Sequence, residues 1–250
     1  MLQREEHHKS IKSKTRVQKH GEVFTPLWMV EKMLDEPGIN EACNSLTATF
    51  LEPGPGEGAF ICEILRRKLL MVSNQYANTL VQYENFSLCV LSTLYGIELL
   101  EDNTQICSMN LFEVYKSKYY EVAKSQGKRM KPSVLDSAKT IISKNIVQGN
   151  FLTHKGPDNK PFILNEWQIL TKITAKTTSI KVIRTEYSLD DIIAGRKNGA
   201  GSTWKPPKIE IQPGLFDDHE IDQLEESTAQ MRYVPSIITA AYKEEMERYE

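Results

Sequence analysis

The sequence predicts an α/β protein with a mostly parallel, doubly wound sheet, followed by a β-rich addition and a helical C-terminal tail. Through about the first 150 residues, short β-prone runs alternate with stretches of helical periodicity. This alternation is typical of a parallel sheet whose strands are connected by helices. A glycine-rich turn joins the first β-prone run to a helix. With 250 residues, 40% hydrophobic and 26% charged, the chain can bury one sizeable core.

Residues 1–20 form a basic arm. Six Lys and Arg residues stand here against only Glu5 and Glu6, whereas the whole chain has a formal net charge of -2. Any contact with nucleic acid would therefore depend on a local patch, and this arm is one such patch. The arm is either a solvated terminus or a segment that contacts DNA phosphates. The candidates for DNA contact are Lys9, Lys12, Lys14, Arg16 and Lys19.

The first predicted elements are a helix, a strand and a second helix. A turn at 21–26 precedes a helix that runs from Trp28 to Leu34, with Pro26 near its start. The β-prone run 48–51 is followed at once by the glycine-rich turn 52–58, and helical periodicity resumes at Ala59. The order is strand, tight turn and helix.

The next elements continue the alternation of helices and strands. The predicted helices are 76–91, 103–124 and 133–144, and the predicted strands are 94–99 and 146–148. The first of these strands carries Glu98 near its end. The second leads into Gly149-Asn150-Phe151-Leu152.

The alternation of strands and helices ends at about Thr153, and the composition of the chain changes beyond it. Within a domain spanning 21–194, residues 153–194 form the β-rich part, in which 162–170 and 179–187 can pair as a hairpin. Residues 195–217 are rich in Gly, Pro and Lys and indicate a linker. Residues 218–250 are acidic and are predicted to be helical. The apolar side of that helix would be Met231, Tyr233, Val234, Ile237, Ile238 and Tyr242.

The glycine turn and Glu98 form a candidate ligand site. Glycines let the backbone approach a ligand, and the following helix presents free amides to an anion. An acid at the end of the next strand can accept hydrogen bonds from ribose hydroxyls, and Glu98 fits that role. This combination favours a nucleotide-like ligand. The alternative is a turn whose glycines only serve the packing of helix against sheet.

The amino-acid sequences of four motifs resemble those of the N6-adenine DNA methyltransferases of restriction–modification systems and phages. The motifs are Gly-Glu-Val-Phe-Thr-Pro at 21–26, Phe-Leu-Glu-Pro-Gly-Pro-Gly-Glu-Gly-Ala-Phe at 50–60, Tyr-Gly-Ile-Glu at 95–98 and Gly-Asn-Phe-Leu at 149–152. The resemblance covers about Lys14 to Leu152. It implies a Rossmann-like class I methyltransferase fold and S-adenosylmethionine as the cofactor.

The resemblance also implies roles for individual residues. The methionine end of the cofactor would lie against Phe24, Thr25 and Pro26, and Glu98 would bind its ribose. Asn150 would lie near the adenine ring, at a position where the family usually carries an acid. The amino-acid portion would be held by Glu52 and by the turn, with its glycines Gly54, Gly56 and Gly58, while Phe60 packs below.

The catalytic motif of that family is missing. Those enzymes use Asn/Asp/Ser-Pro-Pro-Tyr/Phe after the fourth strand, where the amide and a prolyl carbonyl grip the amine of a flipped adenine and the aromatic ring stacks on it. The nearest tetrapeptide downstream of Asn150 is 159–162, Asn-Lys-Pro-Phe, with Asn159 and Phe162 as candidates. Lys-Pro-Pro-Lys at 205–208 lacks both the amide and the aromatic residue.

These motifs predict an S-adenosylmethionine-binding, DNA methyltransferase-like protein of restriction–modification or phage origin, without autonomous methyl transfer. The target-recognition half expected of a stand-alone enzyme is also not found. The alternatives are an active adenine methyltransferase with a divergent loop and a non-catalytic interaction scaffold. A methyltransferase acting on RNA, protein or a small molecule also stays open.

The expected partners are DNA, bound directly or through another protein, and a second methyltransferase or specificity subunit. Gln212, Leu215 and Phe216 resemble the peptides with which bacterial replication proteins dock on the sliding clamp. The alternative is that Leu215 and Phe216 pack back onto the core. Four unpaired cysteines give no zinc spacing. No apolar run is long enough to span a bilayer, so no membrane association and a cytoplasmic location are expected.

Overall fold

The computed structural model describes residues 25–174, 176–206 and 230–249. Three groups of candidate residues lie outside this part of the chain. They are Phe24, the five cations of the basic arm (Lys9, Lys12, Lys14, Arg16 and Lys19), and the docking peptide of Gln212, Leu215 and Phe216.

A three-stranded parallel sheet organises the first part of the chain. Its strands are β1 (Phe50–Pro53), β2 (Leu94–Glu98) and β3 (Ile146–Gln148), in the spatial order β1-β2-β3. Two backbone hydrogen bonds tie the carboxyl ends together: Gly54 N–H donates to the Ile97 carbonyl and Gly149 N–H donates to the Glu98 carbonyl, both at 2.8 Å. In the described part of the chain no strand pairs with the outer edge of β1.

In the described part of the chain, six helices accompany this sheet. Five of them, together with the three strands, follow in the order that the sequence predicts, and the short helix at 39–43 was not predicted. Thr79 caps α4 by accepting the Gln82 amide, and Pro132 stands in the first turn of α6, where its missing N–H costs nothing. The helices are α1 (Leu27–Leu34), α2 (Ile39–Cys43), α3 (Ala59–Gln75), α4 (Leu80–Leu91), α5 (Glu101–Ser125) and α6 (Pro132–Asn145).

The two faces of the sheet are covered differently. Leu94 and Ile146 belong to the main core, which they share with the buried faces of the helices. Ile97 points to the opposite face and packs with Phe162, Leu164 and Leu189, which come from the β-rich part. A doubly wound sheet carries helices on both faces. Among the described residues the second face is covered mainly by a hairpin, so this detail of the prediction is not confirmed.

The hairpin consists of β4 (Ile163–Ile169) and β5 (Lys181–Ser188), as the strand-like composition of the two segments predicts. They pair antiparallel along all of β4. The short helix α7 (Leu189–Ile193) follows β5 directly. A capping box between Ser188 and Asp191 begins that helix.

The predicted helical tail is wrong for residues 230–249. They form β6 (Gln230–Tyr233), β7 (Ser236–Ile237), a 3-10 helix (Ile238–Lys243) and β8 (Met246–Tyr249). β6 pairs antiparallel with β8, and β7 pairs with β5. Pro235 breaks the helical pattern because it lacks an N–H, and the neighbouring β-branched residues favour strands.

The linker expectation also fails where the structure describes it, at 195–206. Tyr233 N–H donates to the Gly201 carbonyl at 2.7 Å, and Gly201 N–H donates to the Thr185 hydroxyl at 3.0 Å. The Trp204 indole N–H donates to the Asp191 carboxylate at 2.9 Å. This segment is therefore packed between β5, α7 and β6.

Arg184 of β5 ties the C-terminal segment to the rest of the chain. Only 6% exposed, it donates from Nε to Asn165 Oδ1 at 2.6 Å and from its guanidinium to Glu186 at 3.0 Å and to Glu244. Its guanidinium carbon also lies 4.2 Å from the centre of the Tyr233 ring. The partners span 165 to 244, so one buried cation connects three strands and the residue that follows the 3-10 helix.

Candidate cofactor site

The turn between β1 and α3 has a conformation that requires glycine. Gly54, Gly56 and Gly58 have φ values of +90°, +55° and +92°, where other residues are strained. A Cβ at Gly58 would also lie 3.0 Å from the Cys107 sulfur, whereas one at Gly54 or Gly56 would meet nothing within 4 Å. The first two glycines thus leave open space above the backbone, and Gly58 packs against α5.

Glu98 at the end of β2 closes this turn. Its Oε2 accepts the Gly56 amide at 2.8 Å and its Oε1 accepts the Leu100 amide at 3.0 Å. The side chain is only 5% exposed. A carboxylate has about four acceptor positions, so each oxygen keeps one after these bonds. Glu98 therefore shapes the loop and still has acceptors for a ligand hydroxyl.

Glu52 on β1 is the second carboxylate of the site. Burial raises its pKa to about 7, and the charge of Glu98 acts in the same direction, while a hydrogen bond from the backbone of Ile61 opposes them. Its Oε2 is buried and accepts no hydrogen bond from the described residues. A buried carboxylate oxygen without a donor is costly. This oxygen is suited to a cationic or hydrogen-bond-donating ligand group.

Replacing Glu52 by glutamine should stabilise the protein in a pH-dependent way. Between pH 4.5 and 7 the unfolded chain loses the Glu52 proton while the folded chain keeps it, so the free energy of unfolding of the wild type falls as pH rises. The gap between about 7 and 4.5 corresponds to about 3 kcal/mol. Urea denaturation should therefore show Glu52→Gln up to about 3 kcal/mol more stable than wild type near pH 8, and little different near pH 4.

Glu41→Gln, on an exposed position of α2, is the control for the substitution itself and should change stability by less than about 0.5 kcal/mol. An unchanged difference between wild type and Glu52→Gln across this pH range would contradict the raised pKa.

Asn150 lies beside a small cavity at the ends of β2 and β3. The cavity has a volume of about 210 Å³, and its lining includes Leu99, Gln148 and Asn159. Asn150 Oδ1 accepts the amides of Leu152 and Thr153 at 2.9 and 3.2 Å. Its acceptor is thus used within its own turn, and the Nδ2 donors are the groups that remain for a ligand.

The two weak catalytic candidates have different surroundings. Asn159 lines the cavity with a φ of +62°. Phe162 is 6% exposed and packs against Gly149, where a Cβ would lie 2.4 Å from its ring. A buried ring of this kind cannot stack on a base without leaving the core. The tetrapeptide also precedes β4, which pairs with β5 and not with the parallel sheet. The structure therefore does not favour a catalytic loop at 159–162.

The remaining site candidates lie directly before helix α1 or in the first turn of helix α3. Thr25 and Pro26 stand at the start of α1, where the Pro26 carbonyl accepts the Met29 and Val30 amides. α1 is held against α3 through Arg67, about two turns from the start of α3. Phe60 is partly buried against the main core. A hydrogen bond joins Glu98 to Gly56, and Glu52 is close enough for the charge of Glu98 to raise its pKa. The described contacts do not join Thr25 or Pro26 to the turn.

Sequence reasoning missed two kinds of residue. Leu99 lines the cavity beside Asn150, and its place directly after a strand-end acid is the signal that could have found it. Trp204 lines a separate cavity of about 520 Å³ in the β-rich part. It stands in a Gly/Pro-rich stretch, which gave no indication of folded structure.

The comparisons with known proteins give no family. No family model matches the chain, and neither a curated protein nor a solved structure matches it. Among the described residues, no group of three or more His, Cys, Asp and Glu side chains could hold a metal ion. None of the described helices has the length and apolar character needed to cross a membrane. The four cysteines are buried free thiols.

Proposed function

We propose that the chain binds S-adenosylmethionine at the carboxyl edge of its parallel sheet. The observation that carries this proposal is the pair Glu98 and Gly56: a strand-end carboxylate is bonded to a turn of three left-handed glycines that leads into a helix. In α/β sheets, ligands bind outside the carboxyl ends of the strands, with anionic groups at helix N-termini and ribose hydroxyls on a strand-end acid.

The residues present fit this cofactor. The free acceptor positions of Glu98 would take the ribose hydroxyls, and the unpartnered Oε2 of Glu52 would take the ammonium group. The N-terminus of α3 would face the carboxylate. Asn150 Nδ2 would donate to a ring nitrogen of the adenine, and Leu99 would contact the ring. When bound, the cofactor supplies an activated methyl group.

We further propose a DNA methyltransferase-like protein of the adenine-N6 type, with a Rossmann-like cofactor half and no autonomous methyl transfer. The motif resemblance supports the class, and the basic arm supports contact with DNA. Two observations support the loss of autonomous transfer. The ring of Phe162 is buried, so it is not free to stack on a base. β1 lies at the edge of the described sheet, so no further described strand stands beside it to carry a catalytic loop. A partner subunit would then supply that loop and the recognition of the target sequence.

Calorimetric titration with S-adenosylmethionine tests the cofactor proposal. We expect wild type to bind, Glu98→Ala to bind at least about tenfold more weakly because the ribose hydroxyls lose a charged acceptor, and Glu101→Ala to match wild type. Glu101 is an exposed acid at the start of α5, so it controls for the change of charge. Thermal unfolding of each variant checks that the turn still folds, and Glu98→Gln, which keeps one acceptor, should be intermediate.

Absence of binding by the wild type would contradict the proposal and leave the scaffold alternative. The same preparation, given labelled cofactor and adenine-containing DNA, should transfer no methyl group. Transfer that disappears in Asn159→Ala would favour the active enzyme with a divergent loop.

A further inference from the structure

A second cavity lies in the β-rich part of the chain, away from the residues used above. Its volume is about 520 Å³, within the range of small-molecule sites. It is bounded by the start of α7, by the segment 196–205, and by β6 and β8. None of its lining residues lines the cavity beside Asn150. The proposed cofactor site therefore leaves it without a role.

Two aromatic side chains line this cavity, and one of them is held in place. The Trp204 indole N–H donates to Asp191 at 2.9 Å, and the Trp204 backbone N–H donates to Glu186 at 3.0 Å. The second ring, Tyr249, is 41% exposed and lies 5.3 Å from the guanidinium of Arg232. One hydrogen bond fixes the indole and the other fixes the backbone that carries it, so the ring loses little freedom when a flat ring stacks on it. The cavity is thus preorganised for an aromatic ligand.

The charges around the cavity favour an anion. Its two carboxylates already have partners: Asp190 lies 2.6 Å from His154 Nδ1, and Asp191 accepts from Ser188, Trp204 and Arg196. The pKa of Asp191 is lowered, because the hydrogen bonds from Ser188 and Trp204 outweigh its burial. Lys197 and Lys205 are exposed and form no ion pair within the described part of the chain. The ammonium groups of Lys197 and Lys205 are therefore available to bind a phosphate.

We propose that this cavity binds a nucleotide unit, with its base on Trp204 and its phosphate on Lys197 and Lys205. Aromatic stacking combined with a cationic rim is the physical basis of single-stranded nucleic-acid binding, and it accepts any base because every base has a π-face. A free nucleotide offers the same chemistry, so the experiment must compare the two sources. The proposal does not depend on cofactor binding.

The test is fluorescence anisotropy with a labelled oligodeoxyadenylate about 12 nucleotides long. Deoxyadenosine monophosphate is the competitor, and excess S-adenosylhomocysteine occupies the cofactor site. We expect Lys197→Ala/Lys205→Ala to bind about tenfold more weakly, and the slope of log affinity against log salt to fall by about 1.4, for two lost phosphate contacts. Lys172→Ala/Lys176→Ala, which removes two exposed lysines from the turn of the hairpin, should match wild type.

A second pair of variants separates stacking from folding. Trp204→Leu should lower the affinity about tenfold, whereas Trp204→Phe, which also loses the hydrogen bond to Asp191 but keeps a ring, should retain most of it. Competition by the monophosphate at concentrations close to those of the oligonucleotide would assign the site to a free nucleotide, and much weaker competition would assign it to nucleic acid. Equal binding by wild type and the Lys197/Lys205 variant, or no binding of either probe, would overturn the proposal.

Discussion

Arg184→Met is expected to lower the free energy of unfolding by about 3–5 kcal/mol. The guanidinium donates to Asn165, Glu186 and Glu244 and stacks on Tyr233. Methionine fills a similar space but donates no hydrogen bond, so the Glu186 carboxylate, whose side chain is 17% exposed, keeps its negative charge beside an apolar group. Urea denaturation followed by circular dichroism measures the change.

Arg232→Met is the matched control. Arg232 also pairs with a carboxylate, Glu247 at 2.6 Å, and lies over a tyrosine ring, but its side chain is 45% exposed. Exposed pairs contribute little because water screens the charges, so its loss should cost less than about 1 kcal/mol. Equal effects of the two substitutions would show that burial does not determine the contribution of Arg184.

Gly201→Ala should be comparably destabilising, by more than about 3 kcal/mol. Gly201 has a φ of +86°, and a Cβ there would lie 2.5 Å from the Tyr233 carbonyl oxygen and 3.2 Å from Ile183. Because the nearest atom belongs to the backbone, the relief of this contact requires β6 to move away. The Tyr233 amide would then lose its bond to the Gly201 carbonyl.

Gly195→Ala separates strain from contact. Gly195 also has a positive φ, +64°, but its Cβ would meet nothing within 4 Å. Only the strain of the left-handed conformation remains, about 1–2 kcal/mol. The measurement is urea denaturation of both variants, together with limited proteolysis of 230–249. Unchanged proteolysis in Gly201→Ala would contradict the expected displacement of β6.

Apart from the short helix α2, the order of elements through β3 could be predicted because it depends on local signals. Helical periodicity from Ala59, a buried run ending at Glu98 and the glycines between them each act within a few residues. The same signals identified Glu98 as the strand-end acid. The contact that makes it part of the site joins Glu98 to Gly56 across 42 positions, and such a contact could be expected only from a known arrangement of strands.

The rest of the fold depends on distant partners. Arg184 binds Glu244 across 60 positions of sequence. The acidic composition around Glu244 favoured a helix, because no neighbouring residue indicated that Glu244 pairs with a buried cation. Trp204 lies in a stretch whose glycines indicated a linker. One of these glycines, Gly201, is instead required because the backbone of Tyr233 lies too close to allow a Cβ there. Composition indicates the conformational freedom of a segment in isolation. It does not indicate which distant part of the chain packs against that segment in the fold.

The outer edge of β1 determines how the sheet can grow. An unpaired strand edge is a template for adding further chains, and long flat edges lead to aggregation. Within residues 25–174, 176–206 and 230–249 no strand covers this edge, which is four residues long. Since Phe50 and Gly54 donate toward β2, the outward positions are Leu51 and Pro53. Pro53 has no N–H, so only the Leu51 amide within the strand can donate to an added strand. This edge can therefore pair with one short additional strand. It offers too few backbone N–H donors for the repeated strand addition that leads to polymers.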